Sequence, residues 1–460
     1  MSSEMIPKRV LVVAYLFPPV GGAGVQRIAK FVKYLPQYGW EASVLTVANP
    51  SVPLFDESLN DDIPEGAIIR YARTFEPGYT LKQAVSASQK ETAARPNVVK
   101  RALKGAARGA ANLVLQPDSQ ILWWPNAVKE GMRLLNEIHH DAIFVTAPPF
   151  SSFVVGKTLS QRTGLPLILD YRDEWDISTA YWENKQKGPF SRWIQSRMQN
   201  GVIRAANAMI ATTLSSSIAL SRVAMQAGSN AKVSHIYNGY DAEDFSTPTP
   251  SFDSSDHRFR LAYVGTLWNL TSIEPLVASI ERLSATSPEL ASQLELVIAG
   301  RQTGPQNEFL SRLDKLPCHV SRMGYLDHQQ AIDLMRTSDS LCVLLSDVPE
   351  AGRVVPAKIF EYMAAGRRIL SITPEGEGSQ ILADYPFADV CAPNDVEGIV
   401  SVLATAIKQH SDGTSVLNNE SDASRFERRN LTGKLAELLN DVTGLPAAET
   451  NHTELELQTV

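Results

Sequence analysis

Charged and flexible residues stand at several points where a parallel α/β sheet could use them for chemistry. The first stretch is 353–370, RVVPAKIFEYMAAGRRIL. Val355 precedes Pro356 and is pushed toward extended backbone. Pro356 can open a helix, because its missing N–H costs nothing in a first turn. Ile359, Phe360 and Met363 recur at helical spacing over 357–365, and Gly366 stops the helix before the strand RRILSIT. The helix start, at Ala357, presents unpaired N–H groups to whatever lies in front of it. That is an anion site, with Lys358 and Glu361 in its first turns. The second stretch is LPLILDYRDEW, 165–175, a strand that ends in charge. Ligands of open α/β sheets sit beyond the carboxyl ends of strands. Asp170, Arg172, Asp173 and Glu174 therefore stand where catalysis or acceptor binding would occur, although charged strand ends also close loops as plain ion pairs. The third is PPVGGAGVQR, where Gly21, Gly22 and Gly24 form a flexible turn between a strand and a helix.

The elements that must position these residues follow from periodicity. RVLVVAYLF (9–17) is an apolar, β-branched run suited to a buried parallel strand. The glycine turn, a helix face of Val25, Ile28, Phe31, Val32 and Leu35, and the strand EASVLTV (41–47) complete a right-handed crossover unit. The glycine spacing is not that of the dinucleotide fingerprint, and no acidic residue ends the second strand. Further strands are expected at 67–72, 141–149, 205–213 and 232–241. His139 and His140 read as surface residues of a polar turn. The stretch 247–257, TPTPSFDSSDH, has the composition of a linker. The α/β pattern then restarts: RLAYVGTLW (260–268) with its loop at Gly265, LELVIAGR (294–301) ending at Arg301, and DSLCVLLS (339–346), which leads to the Lys358 helix. TPEGEGSQIL (373–382) is another glycine-containing loop at a strand end, and 423–442 reads as a final helix.

Composition limits the classes. A chain of 460 residues exceeds one compact core, so two domains are expected. A net charge of -7 argues against a nucleic-acid binder. Three scattered cysteines make neither a disulfide framework nor a zinc site and suggest a reducing compartment. The N-terminus leads straight into a strand with no signal peptide expected, and no apolar run is long enough to span a bilayer. Residues 97–115 read as a basic amphipathic helix with Lys100, Arg101, Lys104 and Arg108 near one face. A solvated surface helix is the simpler reading, and contact with a membrane surface the other, helped by Trp123 and Trp124 nearby.

The stretch VPAKIFEYMAAGRRIL resembles the donor-site helix of the family-4 retaining glycosyltransferases, in the branch with a Pro-x-Lys-x-Phe-Glu-Tyr helix. The glycine loop PP-x-x-GG-x-G-x-x-R, the run TAPPFSS…PLILDYRDEW, and Asn238-Gly239-x-Asp241 resemble the same branch, so that the likeness spans about residues 8–440. The resemblance implies a GT-B-like α/β fold of two Rossmann-like domains facing across a cleft. It also implies transfer of a sugar from a nucleotide-sugar to an acceptor hydroxyl, with retention and without metal or other cofactor; the expected acceptor is a glycan, lipid-linked if the basic helix at 97–115 touches a membrane. Glu361 takes the place of the family's second glutamate, which holds the ribose hydroxyls. Gly22, Gly24, Gly265 and Ala357 fall on the donor-side loops. Arg353 stands where the family has its first glutamate, with Glu350 nearby as a substitute. The loop GTLWNLTS lacks the Arg and Lys that clamp the pyrophosphate in many members. Arg301, Arg353 and Lys358 are then the candidates for that charge, with ordinary surface charge as the alternative for Arg301 and Lys358. If a dedicated base exists, Asp170 or Asp173 supplies it, with Arg172 beside them.

The expected plan is an acceptor-side domain at 1–246, a linker at 247–258, and a nucleotide-sugar domain at 259–422. A helix at 423–442 returns to the first domain, and a disordered tail occupies 443–460. The expected setting is cytoplasmic, or peripheral at the inner face of the membrane, in polysaccharide assembly. A glycosyltransferase-like subunit that binds a nucleotide or partner but transfers nothing is the reading from another class.

Overall fold

The computed structural model describes residues 7–52, 54–78, 115–175, 188–248, 258–414 and 423–447. The basic stretch 97–115 lies outside the described residues except for Leu115, as do most of the expected linker and the tail beyond 447. The chain divides into two compact units, Met1–Ile236 with Leu431–Val460, and Tyr237–Asn430.

The first unit holds a parallel sheet in the order β3-β2-β1-β4-β5-β6-β7. Its strands are β1 (Lys8–Val13), β2 (Trp40–Val47), β3 (Ile68–Ala72), β4 (Ala142–Ala147), β5 (Leu167–Tyr171), β6 (Ala208–Ala211) and β7 (Lys232–His235). Each lies inside its expected span or within a residue of it. β1, β4, β5 and β6 are shorter than expected at their carboxyl ends. The apolar pattern continues there, but the ladder partners run out, and the residues that follow build the site. Leu11, Val13, Leu45, Ile143, Val145, Leu167, Leu169 and Met209 alternate onto one core. The Trp124–Glu137, Ser151–Thr163 and Pro189–Ile203 helices cover it. Trp123 is buried with its Nε1 donating to the Ala72 carbonyl, and Trp124 donates to Thr158, so the tryptophan pair is packing. His140, expected on the surface, is buried, with Nδ1 against the Ile138 carbonyl. Burial lowers its pKa.

The Ser151–Thr163 helix is capped by a carboxylate far away in sequence. Asp118 accepts from the Ser151 backbone N–H at 3.1 Å and from the Ser151 hydroxyl. Burial pushes its carboxyl from about 3.8 up to about 6, against the lowering effect of those hydrogen bonds. A folded pKa above the unfolded one means that the folded state takes up the proton more readily. The group's contribution to stability is therefore full below about pH 4 and is lost as pH rises through about 6. Wild type should lose up to about 3 kcal/mol relative to Asp118→Asn between those limits, which paired urea melts at both pH values would measure.

The second unit holds a parallel sheet in the order β10-β9-β8-β11-β12-β13. The strands are β8 (Phe259–Val264), β9 (Leu294–Ala299), β10 (His319–Gly324), β11 (Ser340–Leu344), β12 (Arg368–Ile372) and β13 (Ala388–Cys391). One face packs on the Glu274–Thr286 and Val396–Ser411 helices, and the other on the His328–Thr337 and Lys358–Ala364 helices. The second unit begins at Tyr237, ten residues before the point where composition places the domain end. The reason is aromatic packing: Tyr237 meets Phe360 and Phe426 at 5.8 and 5.4 Å between ring centres. Tyr240 is also tied to the backbone of Phe426 and Arg428. The expected helix at 423–442 is a short 3-10 turn, Ser424–Phe426, followed by the Arg428–Thr443 helix. From Leu431 onward that helix belongs to the first unit, where Asn440 accepts from Lys8 and from the Trp40 indole.

Candidate functional site

In the second unit the expected donor residues gather on one edge. Gly265 follows β8, Arg301 follows β9, and Arg353, Lys358 and Glu361 follow β11. These strands are consecutive in the sheet order β9-β8-β11-β12 and parallel, so their loops leave from the same carboxyl edge. The first two loops are zipped together. Gly265 N–H donates to the Ala299 carbonyl, and Leu267 N–H to the Arg301 carbonyl, both at 2.8 Å. A Cβ on Gly300, whose φ is +123°, would lie 2.1 Å from the Gly265 carbonyl oxygen, so this approach of two backbones requires glycine. Arg301 leaves this pair of loops with an exposed side chain that no carboxylate engages among the described residues.

The Lys358–Ala364 helix is only seven residues long, too short to persist by propensity. Packing holds it. Ile359, Phe360 and Tyr362 are buried, and Phe360 lies 4.6 Å from the Phe426 ring centre. The Tyr362 hydroxyl accepts from Val264 N–H at 3.0 Å, which fastens the helix to the end of β8. Gly366, at φ +65°, ends the helix as expected. Glu361 is therefore rigid, and its side chain is 6% exposed. Its Oε2 is buried, and its partner is the Lys358 ammonium one turn earlier. The pair is a carboxylate and a cation side by side at the foot of a helix on the carboxyl edge. Arg353 forms an ion pair with Glu350, whose backbone is left-handed at φ +68°. Glu350 is thus turned onto its own loop.

Sequence reasoning missed what braces that loop. A Cβ on Gly376 would lie 2.3 Å from the Gly352 carbonyl oxygen. The loops after β11 and β12 therefore touch backbone to backbone. The signal was present as glycines in EAGR and EGEG, but only the tertiary contact pairs them. Beside them the Tyr237 hydroxyl donates to Glu377 at 2.6 Å. Burial first, and then the carboxylate, raise the Tyr237 pKa.

In the first unit the glycine loop after β1, the Pro-Pro loop after β4 and the charged end of β5 lie on neighbouring strands. Gly22 opens the Ala23–Tyr34 helix with φ +114° and no side-chain cap, as the expected flexible turn requires. Arg172 donates to the Gly24 carbonyl and to the Pro148 carbonyl, and so ties the three loops together. It positions loops rather than standing free as a catalytic group. A Cβ on Gly24 would lie 2.3 Å from Arg172 Nη1. Gly24→Ala should displace that guanidinium and lower stability by about 1–3 kcal/mol. Thermal melts of Gly24→Ala and of Gly24→Ala with Arg172→Ala check this, since the second change should remove the clash and much of the penalty it causes.

Asp170 corrects the expectation. It is the penultimate residue of β5 and fully buried. Strand alternation turns it onto the face of its register partner Thr146, whose hydroxyl donates to it at 2.8 Å. Arg27 of the Ala23–Tyr34 helix donates to it through Nη2 at 2.9 Å and Nε at 3.2 Å. Arg27 also donates to the Ile236 carbonyl. Asp170 is thus the centre of a buried ion pair, with both carboxylate oxygens engaged by Arg27 and Thr146. Glu174 accepts from the Ser216 hydroxyl and is likewise engaged. Asp173 differs. It is half-buried beyond the strand end, and no hydrogen bond holds its carboxylate among the described residues. Burial raises its pKa while Arg172 opposes that rise. Of the two proposed bases, Asp173 is the one whose chemistry remains available.

Residues 258–409 match the family model described as Glycosyl transferases group 1. That stretch contains Gly265, Arg301, Arg353, Ala357, Lys358 and Glu361, and so the whole candidate donor edge. No curated protein matches the sequence. Among solved structures the chain is similar to HepE from Anabaena in complex with UDP and glucose, at 17% identity over 94% of this chain and 100% of that one, with a TM-score of 0.58. It is also similar to sucrose-phosphate synthase from Thermosynechococcus elongatus, at 13% identity over 95% and 100% of the two chains, with a TM-score of 0.61. A third is WaaG, a glycosyltransferase involved in lipopolysaccharide biosynthesis, at 15% identity over 94% and 99%, with a TM-score of 0.53. At these identities the likeness carries the fold: two parallel-sheet α/β domains of the GT-B kind, as expected. The match of residues 258–409 to the group 1 glycosyltransferase model is what supports a nucleotide-sugar glycosyltransferase.

Proposed function

We propose that the chain transfers a sugar from a nucleotide-sugar to an acceptor hydroxyl, with retention and without a metal, in polysaccharide or glycoconjugate assembly. The observation that carries this reading is the Lys358–Glu361 pair on the rigid helix at the carboxyl edge of the second sheet. A buried carboxylate anchors the ribose hydroxyls. The adjacent ammonium, with the unengaged Arg301, meets the diphosphate and stabilises the charge that develops on it as the sugar leaves. HepE's complex with UDP and glucose supports a UDP-sugar as the first donor to test. The acceptor belongs to the first unit, where Arg172 holds the loops and Asp173 takes the acceptor proton if the leaving phosphate does not. Three buried free thiols fit a cytoplasmic setting. A non-catalytic nucleotide-binding relative is the second reading. It is favoured by Arg353, which replaces the family's first glutamate and is engaged with Glu350.

A thermal-shift screen against UDP, GDP, TDP, CMP and ADP with their common sugars tests the donor. A nucleotide at about 100 times its Kd should add roughly 2.7 kcal/mol of stability. No shift with any of them, in a folded sample, removes the assignment, and binding without hydrolysis or transfer favours the second reading. Arg301→Ala should weaken the selected nucleotide about ten- to hundredfold, as loss of charge-assisted hydrogen bonds requires, and much less for the nucleoside without phosphates. Isothermal titration of both ligands checks it.

A further inference from the structure

The Pro189–Ile203 and Leu214–Ala227 helices follow β5 and β6, pack against each other, and contain no acidic residue. Both carry large apolar side chains into solvent. Phe190 and Trp193 are 58% and 53% exposed, and Leu214, Ile218 and Met225 are exposed on the second helix. Five of the eleven exposed large apolar side chains among the described residues thus concentrate on two adjacent helices. Spacing keeps each set on one face. Phe190, Trp193 and Arg197 recur at three and four residues, as do Leu214, Ile218, Arg222 and Met225. The Phe190 and Trp193 rings stack with centres 5.7 Å apart, and the Arg197 guanidinium lies 5.0 Å from the Trp193 ring centre. Arg197 and Arg222, on those faces, are exposed, and no carboxylate pairs with them among the described residues.

We propose that this face docks on an anionic phospholipid bilayer. The whole chain carries a net charge of -7, so an anionic surface repels it in most orientations. These two helix faces, with no acidic residue of their own and two exposed arginines, are where charge complementarity reverses that. The side chains between those arginines are the kinds that settle at a membrane interface: an aromatic pair and three long aliphatics. In a parallel sheet the helices that follow β5 and β6 start at the carboxyl edge. Phe190, Trp193, Leu214 and Ile218 lie in their first turns, so the membrane face borders the edge that carries Arg172 and Asp173. The docked enzyme meets acceptors held at the lipid surface. The proposal needs no donor chemistry and stands whatever nucleotide, if any, the second unit binds.

The test is flotation of the full chain with phosphatidylcholine vesicles, with and without phosphatidylglycerol, at low and high salt. Binding is expected to the anionic vesicles only, to fall with salt, and to blue-shift tryptophan emission. Arg197→Gln with Arg222→Gln should lower partitioning about fivefold for each arginine. Phe190→Ser with Trp193→Ser should abolish the blue shift and most of the binding. Circular dichroism confirms the fold of each variant, and the arginine pair decides the matter if the aromatic pair misfolds. Absence of vesicle binding overturns the proposal, as does binding that both variants retain but substitutions at Lys100 and Lys104 remove. Self-association by light scattering that the aromatic variant abolishes, without vesicle binding, would assign the face to a second copy instead.

Discussion

Glu361→Ala should abolish the nucleotide-induced thermal shift and lower kcat/KM for the donor by about two to three orders of magnitude. Glu361 is buried on a helix that Phe360 and Tyr362 fasten in place, so its carboxylate is presented with little conformational cost to a bound ribose. Each hydrogen bond from a hydroxyl to a charged acceptor contributes about 1.5–3 kcal/mol, and a ribose diol makes two. The loss should appear mainly in binding, because the ribose contact is present in both the ground and transition states. Glu361→Gln separates charge from shape. It keeps an acceptor but leaves the Lys358 ammonium unpaired, so its donor affinity should lie between wild type and alanine. A purely structural glutamate would behave otherwise: both variants would lower the melting temperature and leave the ligand-induced increment unchanged. Titration of UDP-sugar into folded samples of all three proteins decides between these outcomes.

Asp170→Ala should destabilise the first unit by about 3–5 kcal/mol, because it leaves the Arg27 guanidinium buried without its counter-charge. This is the largest stability effect expected from any single site described. Arg27→Met with Asp170→Leu should recover most of it, since replacing both charges by apolar groups removes the desolvation cost together with the attraction. Denaturant unfolding of the single and double variants provides the cycle. A catalytic base would give the reverse pattern, a folded and fully stable Asp170→Ala with no turnover. Asp173→Asn is the proper test of a base. It should leave stability nearly unchanged, because no hydrogen bond is lost, and should lower kcat more than the affinity for donor.

Much of this architecture is legible in the chain itself. Apolar β-branched runs alternate with helical periodicity, and each expected strand is found, because local propensity and burial agree there. The carboxyl-edge rule turns strand order into a site. It brings Gly265, Arg301 and Lys358 to one edge before any distance is known. What periodicity could not do was assign partners. LILDY is buried from end to end, and an aspartate within such a strand signals a hidden cation, but nothing local says that the cation is Arg27, 143 residues earlier. Asp170 and Asp173 are both acidic residues at a strand end. Only the pleat of β5 turns the first onto a covered face, while the second lies beyond the ladder.

The same division holds across the protein. The sequence by itself determined the two α/β halves, the glycine-led helix and the short helix with its Lys358 and Glu361, while the class of chemistry was implied by the resemblance those stretches carry. Those features depend on residue type and on spacing within a few turns. Tertiary structure decided which charges are used up and which remain. It joined Arg172 to the Gly24 and Pro148 carbonyls, pressed Gly352 against Gly376, and buried Asp170. Among the described residues it left the Arg301 and Asp173 side chains without a hydrogen bond. It also moved the start of the second unit to Tyr237, where aromatic packing on Phe360 and Phe426 outweighs the polar composition that follows. The physical reason is common to all of these. The fate of a charge or a glycine depends on the groups that lie against it in space, and those come from strands neighbouring in the sheet rather than in the chain.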